Sequence, residues 1–167
     1  MGRAIGAIEG LPVLDLGRRV AEELGTSPDL ALVAVPEADY RRVEARVACQ
    51  VLDHAVAQGA VVALGSGCLG DPRIGLRLEE LRLVHDRSYQ IVALACATRV
   101  LATRNGLDAP RSVALGTVYH QFVQMLHERQ ARCRELADTI IDTSATTPEE
   151  AGEQVIRAVE AGFSHHS

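Results

Sequence analysis

Residues 61–72 read VVALGSGCLGDP, four apolar residues running straight into a glycine-rich turn. A short continuous apolar run bounded by turn residues fits a strand buried on both faces, the pattern of a parallel sheet. The turn then lies at the carboxyl end of that strand, where open α/β sheets bind their ligands. Backbone N–H groups in such a turn suit a phosphate or a small acid. Gly65, Ser66 and Gly67 are therefore the first candidate binding residues, and Asp71-Pro72 opens the next helix.

Working outward, the flanking segments alternate. Residues 2–9 read as a short helix closed by Gly10, and LPVLD (11–15) as a strand ending in Asp15. An amphipathic helix over 16–24 stops at Gly25. DLALVAV (29–35) is apolar enough for either a buried strand or a helix turn, and periodicity does not separate the two. A long helix runs from Pro36 to Gly59. Beyond the turn, YQIVALAC (89–96) is a second buried strand, with a helix over about 97–105. NGLDAPRSVALG (105–116) is a Gly/Pro/Asp-punctuated connection, and a long helix covers about 117–137. TIIDT (139–143) is a last strand, and TTPEEAGEQVIRAVEAG (146–162) a closing helix with Thr at its cap and early glutamates. This order predicts an α/β fold of three layers, helix-sheet-helix, with a mostly parallel sheet and one domain over 1–167. Asp15, the 65–70 turn and the 105–116 connection then share one rim.

Composition narrows the function. The chain has 167 residues, 47% hydrophobic and 23% charged, enough for a core without disulfides or metals. A net charge of -5 and 3% aromatics give no footprint for nucleic acid or an anionic membrane, so neither partner is expected. No apolar run approaches a bilayer span and the N-terminal residues lack a signal-peptide pattern, so a cytoplasmic location is expected. Cys49, Cys68, Cys96 and Cys133 are scattered without a metal-ligand spacing and read as free thiols; no metal is expected. All 17 basic residues are arginine. That removes Schiff-base, general-base and phosphate-loop lysines from this sequence.

In this order the motifs resemble the shikimate kinase family over nearly the whole chain. LPVLD is similar to the family's second strand, YRRVE (40–44) to its aromatic-Arg-x-x-Glu helix motif, and VVALGSGC to its strand and glycine turn. APRSVALG sits in the place of the lid, and LHERQARCRELADTIIDTSATTPEE resembles the arginine-bearing helix, the last strand and the closing helix. The resemblance implies that Arg41 and Arg129 grip the carboxylate of a shikimate-like ring. It also implies that Gly65, Ser66 and Gly67 offer backbone amides, that Arg111 closes from the lid, and that Asp15 lies at the substrate. Bidentate guanidinium–carboxylate pairing is the chemistry behind this, since arginine keeps its proton. The bland alternative for Arg41 is an i,i+3 pair with Glu44 on a solvated helix face. For Asp15 it is a helix cap.

Departures from the family pattern set the functional expectation. The resemblance puts the family's first strand and phosphate loop ahead of the present residues, and the second Asp of its Asp-x-Asp pair is Gly17 here. On that basis the chain is expected to bind no ATP and to need no cofactor. It should act on a shikimate- or chorismate-type cyclic carboxylate as an isomerase, a mutase of the chorismate-mutase kind, or a lyase, with Arg41 and Arg129 catalytic. The alternative is a non-catalytic pseudokinase that binds a ring acid and regulates or scaffolds a pathway enzyme. A missing central strand would also leave open strand edges. Residues 29–35 are expected to fill that gap or to pair across a homodimer, unless they form a core helix segment. Cys68 reads as a small buried thiol, and His120 and His127 as surface or core histidines or as acid/base groups.

Overall fold

A computed structural model describes residues 2–84, 89–104 and 113–164. The elements run α1 (Gly2–Glu9), β1 (Val13–Asp15), α2 (Leu16–Glu23), α3 (Ala31–Ala34), α4 (Glu37–Gln58) and β2 (Val61–Ala63). A 3-10 turn (Ser66–Gly70) follows, then α5 (Pro72–Arg82), β3 (Val92–Ala95), α6 (Thr98–Arg104), α7 (Val113–Leu136), β4 (Thr139–Asp142) and α8 (Pro148–Ser164).

Local chemistry explains most of the boundaries. Asp15 caps α2 by accepting from the Arg18 N–H at 3.2 Å, and Asp71 caps α5 by accepting from the Arg73 N–H at 2.9 Å. Thr147 and Glu150 close a reciprocal capping box on α8, at 2.8 and 3.2 Å. Gly59 ends α4 with φ of 75°, a conformation that costs a side-chain-bearing residue dearly. One boundary differs from expectation: the 105–116 connection gives way to helix at Val113. Residues 31–34 take the helical one of the two alternatives open to them. The short α3 packs on α4, so it neither fills a gap in the sheet nor supplies a strand for pairing across a dimer. With that strand gone, so is the ground on which a homodimer was expected. A seven-residue apolar run carries too little pattern to separate strand from helix.

Both strand pairs are parallel, as expected. β1 pairs with β2 through Val13–Val61, Leu14–Val62 and Asp15–Ala63, and β3 pairs with β4 from Val92–Thr139 to Ala95–Asp142. Among the described residues the sheet is thus two two-stranded pieces. Helices hold them in one body. α1 packs on both β1 and β2 and also on α8, which packs on β4. The contact of α1 with β1 is close enough that a Cβ on Gly6 would lie 2.3 Å from Val13 Cγ2. On another side, α7 touches β3, α5 and the 66–70 turn. The main core gathers Leu14, Leu16, Val20, Ala48, Ile74 and Leu78, with Leu136 arriving from α7. No described helix is long and apolar enough to cross a membrane.

Candidate functional site

The register Asp15–Ala63 puts the ends of β1 and β2 side by side, so Asp15 and the turn after β2 share the carboxyl rim. Gly65 leads into the turn with extended backbone, and Gly65 and Ser66 are exposed. The turn winds as 3-10 helix, with the Cys68 N–H donating to the Gly65 carbonyl at 3.1 Å. Cys68 points inward at 1% exposure, and burial, ahead of the nearby Glu44 charge, pushes its thiol up to about 12. It is a packing residue, since a thiol that holds its proton this firmly makes a poor nucleophile.

Arg41 and Arg129 come together over Gly67. A Cβ built on Gly67 would lie 3.4 Å from Arg41 Nη1 and 3.4 Å from Arg129 Nη2. Two guanidinium groups therefore face the same patch of bare backbone, one from α4 and the other from α7. The space left by the absent side chain is bordered by two fixed positive charges. A carboxylate is the group that such a fork suits.

Arg41 is not the solvated helix-face residue of the bland alternative. Its Nη1 donates to Glu44 Oε2 at 2.8 Å, and that carboxylate is buried, with 9% side-chain exposure. Glu37 adds a longer contact of 3.6 Å from the exposed side. The Glu44 hydrogen bond is the main reason that the Arg41 guanidinium is held above its ordinary value. Tyr40 packs beneath, with Arg41 Cζ 5.4 Å from the ring centroid. Burial first, and then the Glu44 charge, raise the Tyr40 phenol. Glu44 thus orients Arg41 toward Gly67. The Arg-x-x-Glu spacing was visible in the sequence, but a helix-surface pair has the same spacing, so only burial reveals this role.

The other candidates fall as follows. Asp15 is exposed at the rim, and its Oδ1 serves as the α2 cap. Gly17 lies in the first turn of α2, and a Cβ there would be 3.4 Å from that same oxygen. Arg111 lies outside the described residues. His120 and His127 are exposed on α7. Among the described residues no group of three His, Cys, Asp or Glu side chains is placed to hold a metal ion.

Parallel strand pairs clad in helices, with two arginines converging on a strand-end glycine turn, make an α/β protein with a candidate anion site at the sheet's carboxyl rim. The sequence model of the shikimate kinase family matches residues 1–160, and the chain belongs to that family. The shikimate kinase of Thermobifida fusca (strain YX) is 28% identical over 161 residues, covering 96% of this chain and 87% of that protein. That of Streptococcus suis (strain 05ZYH33) is 25% identical over 150 residues, covering 87% and 86%. Among solved structures, shikimate kinase from Acinetobacter baumannii in complex with shikimate superposes with a TM-score of 0.69 at 15% identity, covering 96% of this chain and 85% of that one. Shikimate kinase from Bacteroides thetaiotaomicron gives 0.68 at 16% identity, covering 95% and 89%. These two establish the shared fold.

The relatives overturn the functional expectation. They are named shikimate kinases, ATP-dependent enzymes, and nothing among them points to an ATP-independent isomerase, mutase or lyase, or to a pseudokinase. The physical reason is that a carboxylate fork fixes a substrate without specifying its reaction. A kinase needs its acceptor held as firmly as a mutase does.

Proposed function

We propose that this protein takes part in ATP-dependent phosphoryl transfer to a hydroxyl of a shikimate-class ring acid, and that the described site holds the acceptor. The observation that carries the binding half is the convergence of Arg41 and Arg129 over Gly67. Kinship with shikimate kinases supports the phosphoryl-transfer half. In this reading the ring carboxylate lies over Gly67, where no side chain blocks it, and both guanidinium groups pair with it. Glu44 keeps Arg41 aimed, so little ordering remains to be done on binding. Ser66 and the Gly65 backbone border the ring, with Asp15 on the neighbouring strand end.

Arg41 and Arg129 act here as anchors rather than as reacting groups. Fixing the carboxylate fixes the ring, and so the direction in which its hydroxyl meets the donor. Positioning and charge stabilisation account for most of the catalysis in phosphoryl transfer. The four free cysteines suit a reducing compartment and support a cytoplasmic location.

The test joins calorimetric titration with shikimate to a product assay for phosphorylated ring acid, with and without ATP. Saturable shikimate binding and ATP-dependent product are expected. Absence of shikimate binding would remove the reading, as would ring-acid turnover that proceeds without ATP.

A further inference from the structure

Helix α7 carries Arg129, so whatever fixes α7 against α5 also fixes the reach of that guanidinium toward Gly67. Two arginine straps cross this seam. Arg82, in the last turn of α5, donates from Nη1 to the Glu135 carbonyl at 2.8 Å and pairs through Nε with Asp138 at 3.3 Å. Arg132, one turn beyond Arg129, reaches back the other way. Its Nη2 meets Glu79 of α5 at 3.4 Å, while Nη1 is held by Glu135 on its own helix at 2.9 Å.

The second strap passes directly over Gly75, a buried residue of α5. A Cβ at that position would stand 2.3 Å from Arg132 Nη2 and 3.3 Å from Cζ. A carbon cannot sit 2.3 Å from that nitrogen, so a side chain at 75 must displace the guanidinium end of Arg132 from its place over the helix. The glycine is not required by its backbone, which is ordinary α-helix, and glycine in a helix interior is unfavourable relative to alanine. Its presence is explained by the arginine that lies across it.

We propose that Gly75 is a positioning residue for the ring-acid site: it leaves the slot through which Arg132 straps α7 to α5, and that strap sets where Arg129 meets the ligand. This rests on the reading of Arg129 as a carboxylate anchor. Evicting Arg132 breaks its link to Glu79 and leaves α7 tied at this seam by Arg82 alone among these two straps.

The experiment is a double-mutant cycle on the protein with shikimate as probe, reading KM and kcat separately together with thermal stability. Gly75→Ala is expected to raise the KM for shikimate about 5-fold with kcat within about 2-fold, while stability holds or rises because alanine favours helix. Arg132→Ala should give a similar rise in KM, and Gly75→Ala added to Arg132→Ala should give no further change. An unchanged KM in Gly75→Ala, or equal and additive effects of the two substitutions, would overturn the proposal. Arg129→Ala separates the two levels. If it leaves shikimate binding intact, the underlying reading of the site fails; if it weakens binding while Gly75→Ala does not, only the strap is wrong.

Discussion

The described parts of residues 13–82 and 89–164 each contain one parallel strand pair, yet they are packed differently. Around β1, helices α2, α4 and α5 bury Leu14, Leu16, Val20, Ala48 and Ile74 in a single continuous cluster. In β3 and β4 no residue is buried, and Leu94 and Ile140 stand 49% and 45% exposed. Parallel strands are ordinarily covered on both faces; in the first pair Leu14 alone is buried, and the second pair is clad more thinly still. The site follows the difference. Gly67, Arg41 and Glu44 all belong to the dense part, and only Arg129 is brought in by α7, which also lends Leu136 to the same core. A site that holds a ligand in one orientation needs rigid mounting, and the proposed fork lies where packing is tight.

This contrast can be broken or sharpened by substitution. The largest effect is expected in the dense part, where Ile74 is fully buried. Ile74→Ala should destabilise the fold by about 2–5 kcal/mol in denaturant unfolding. A loss below about 1 kcal/mol would mean that the core is looser than it looks. Next comes the site. Arg129→Ala should weaken shikimate binding by about 2–4 kcal/mol, because the carboxylate loses one of its two charged partners. Calorimetry giving an unchanged dissociation constant would remove Arg129 from the site. Gly67→Val should lower affinity by a comparable amount, about 100-fold, with the circular dichroism spectrum intact, since its branches occupy the space between the two guanidinium groups.

A smaller effect is expected in the thinly clad pair. Leu94→Ala should cost less than about 1 kcal/mol, since a half-exposed side chain gives up little on truncation. A loss matching that of Ile74→Ala would show that the two regions are equally packed and dissolve the contrast. A further test concerns pH. The Cys68 thiol is raised by burial to about 12, against an ordinary value of 9.0. Below pH 9 it is neutral whether the chain is folded or not, so its contribution is fully present there. As pH climbs from about 9 toward 12 the unfolded chain ionises first and stability falls. Stability curves at pH 8 and pH 10 should diverge in the parent protein and less so in Cys68→Ala; identical divergence in both would place the titration elsewhere.

What the sequence determined by itself was whatever depends on neighbours along the chain. Asp71-Pro72 and Thr147 with Glu150 announce their helices because a cap and its N–H lie within three residues of one another. Val61 to Leu64 announces a strand through its continuous apolar run, although Val61, Val62 and Ala63 are half-buried rather than enclosed on both faces. The pairing of Arg41 with Glu44 was also legible, as was the candidacy of Arg129 through its place in a familiar motif order. Tertiary structure decided the rest. Residues 31–34 became helix because the run is too short for its period to show, and packing on α4 settled it. Burial of Glu44, which turns a surface pair into an orienting one, depends on the elements that enclose it. The meeting of Arg41 with Arg129 over Gly67, and the passage of Arg132 over Gly75, join residues far apart in the chain. Such distances are set by how helices cross, and nothing in the local chain encodes a crossing.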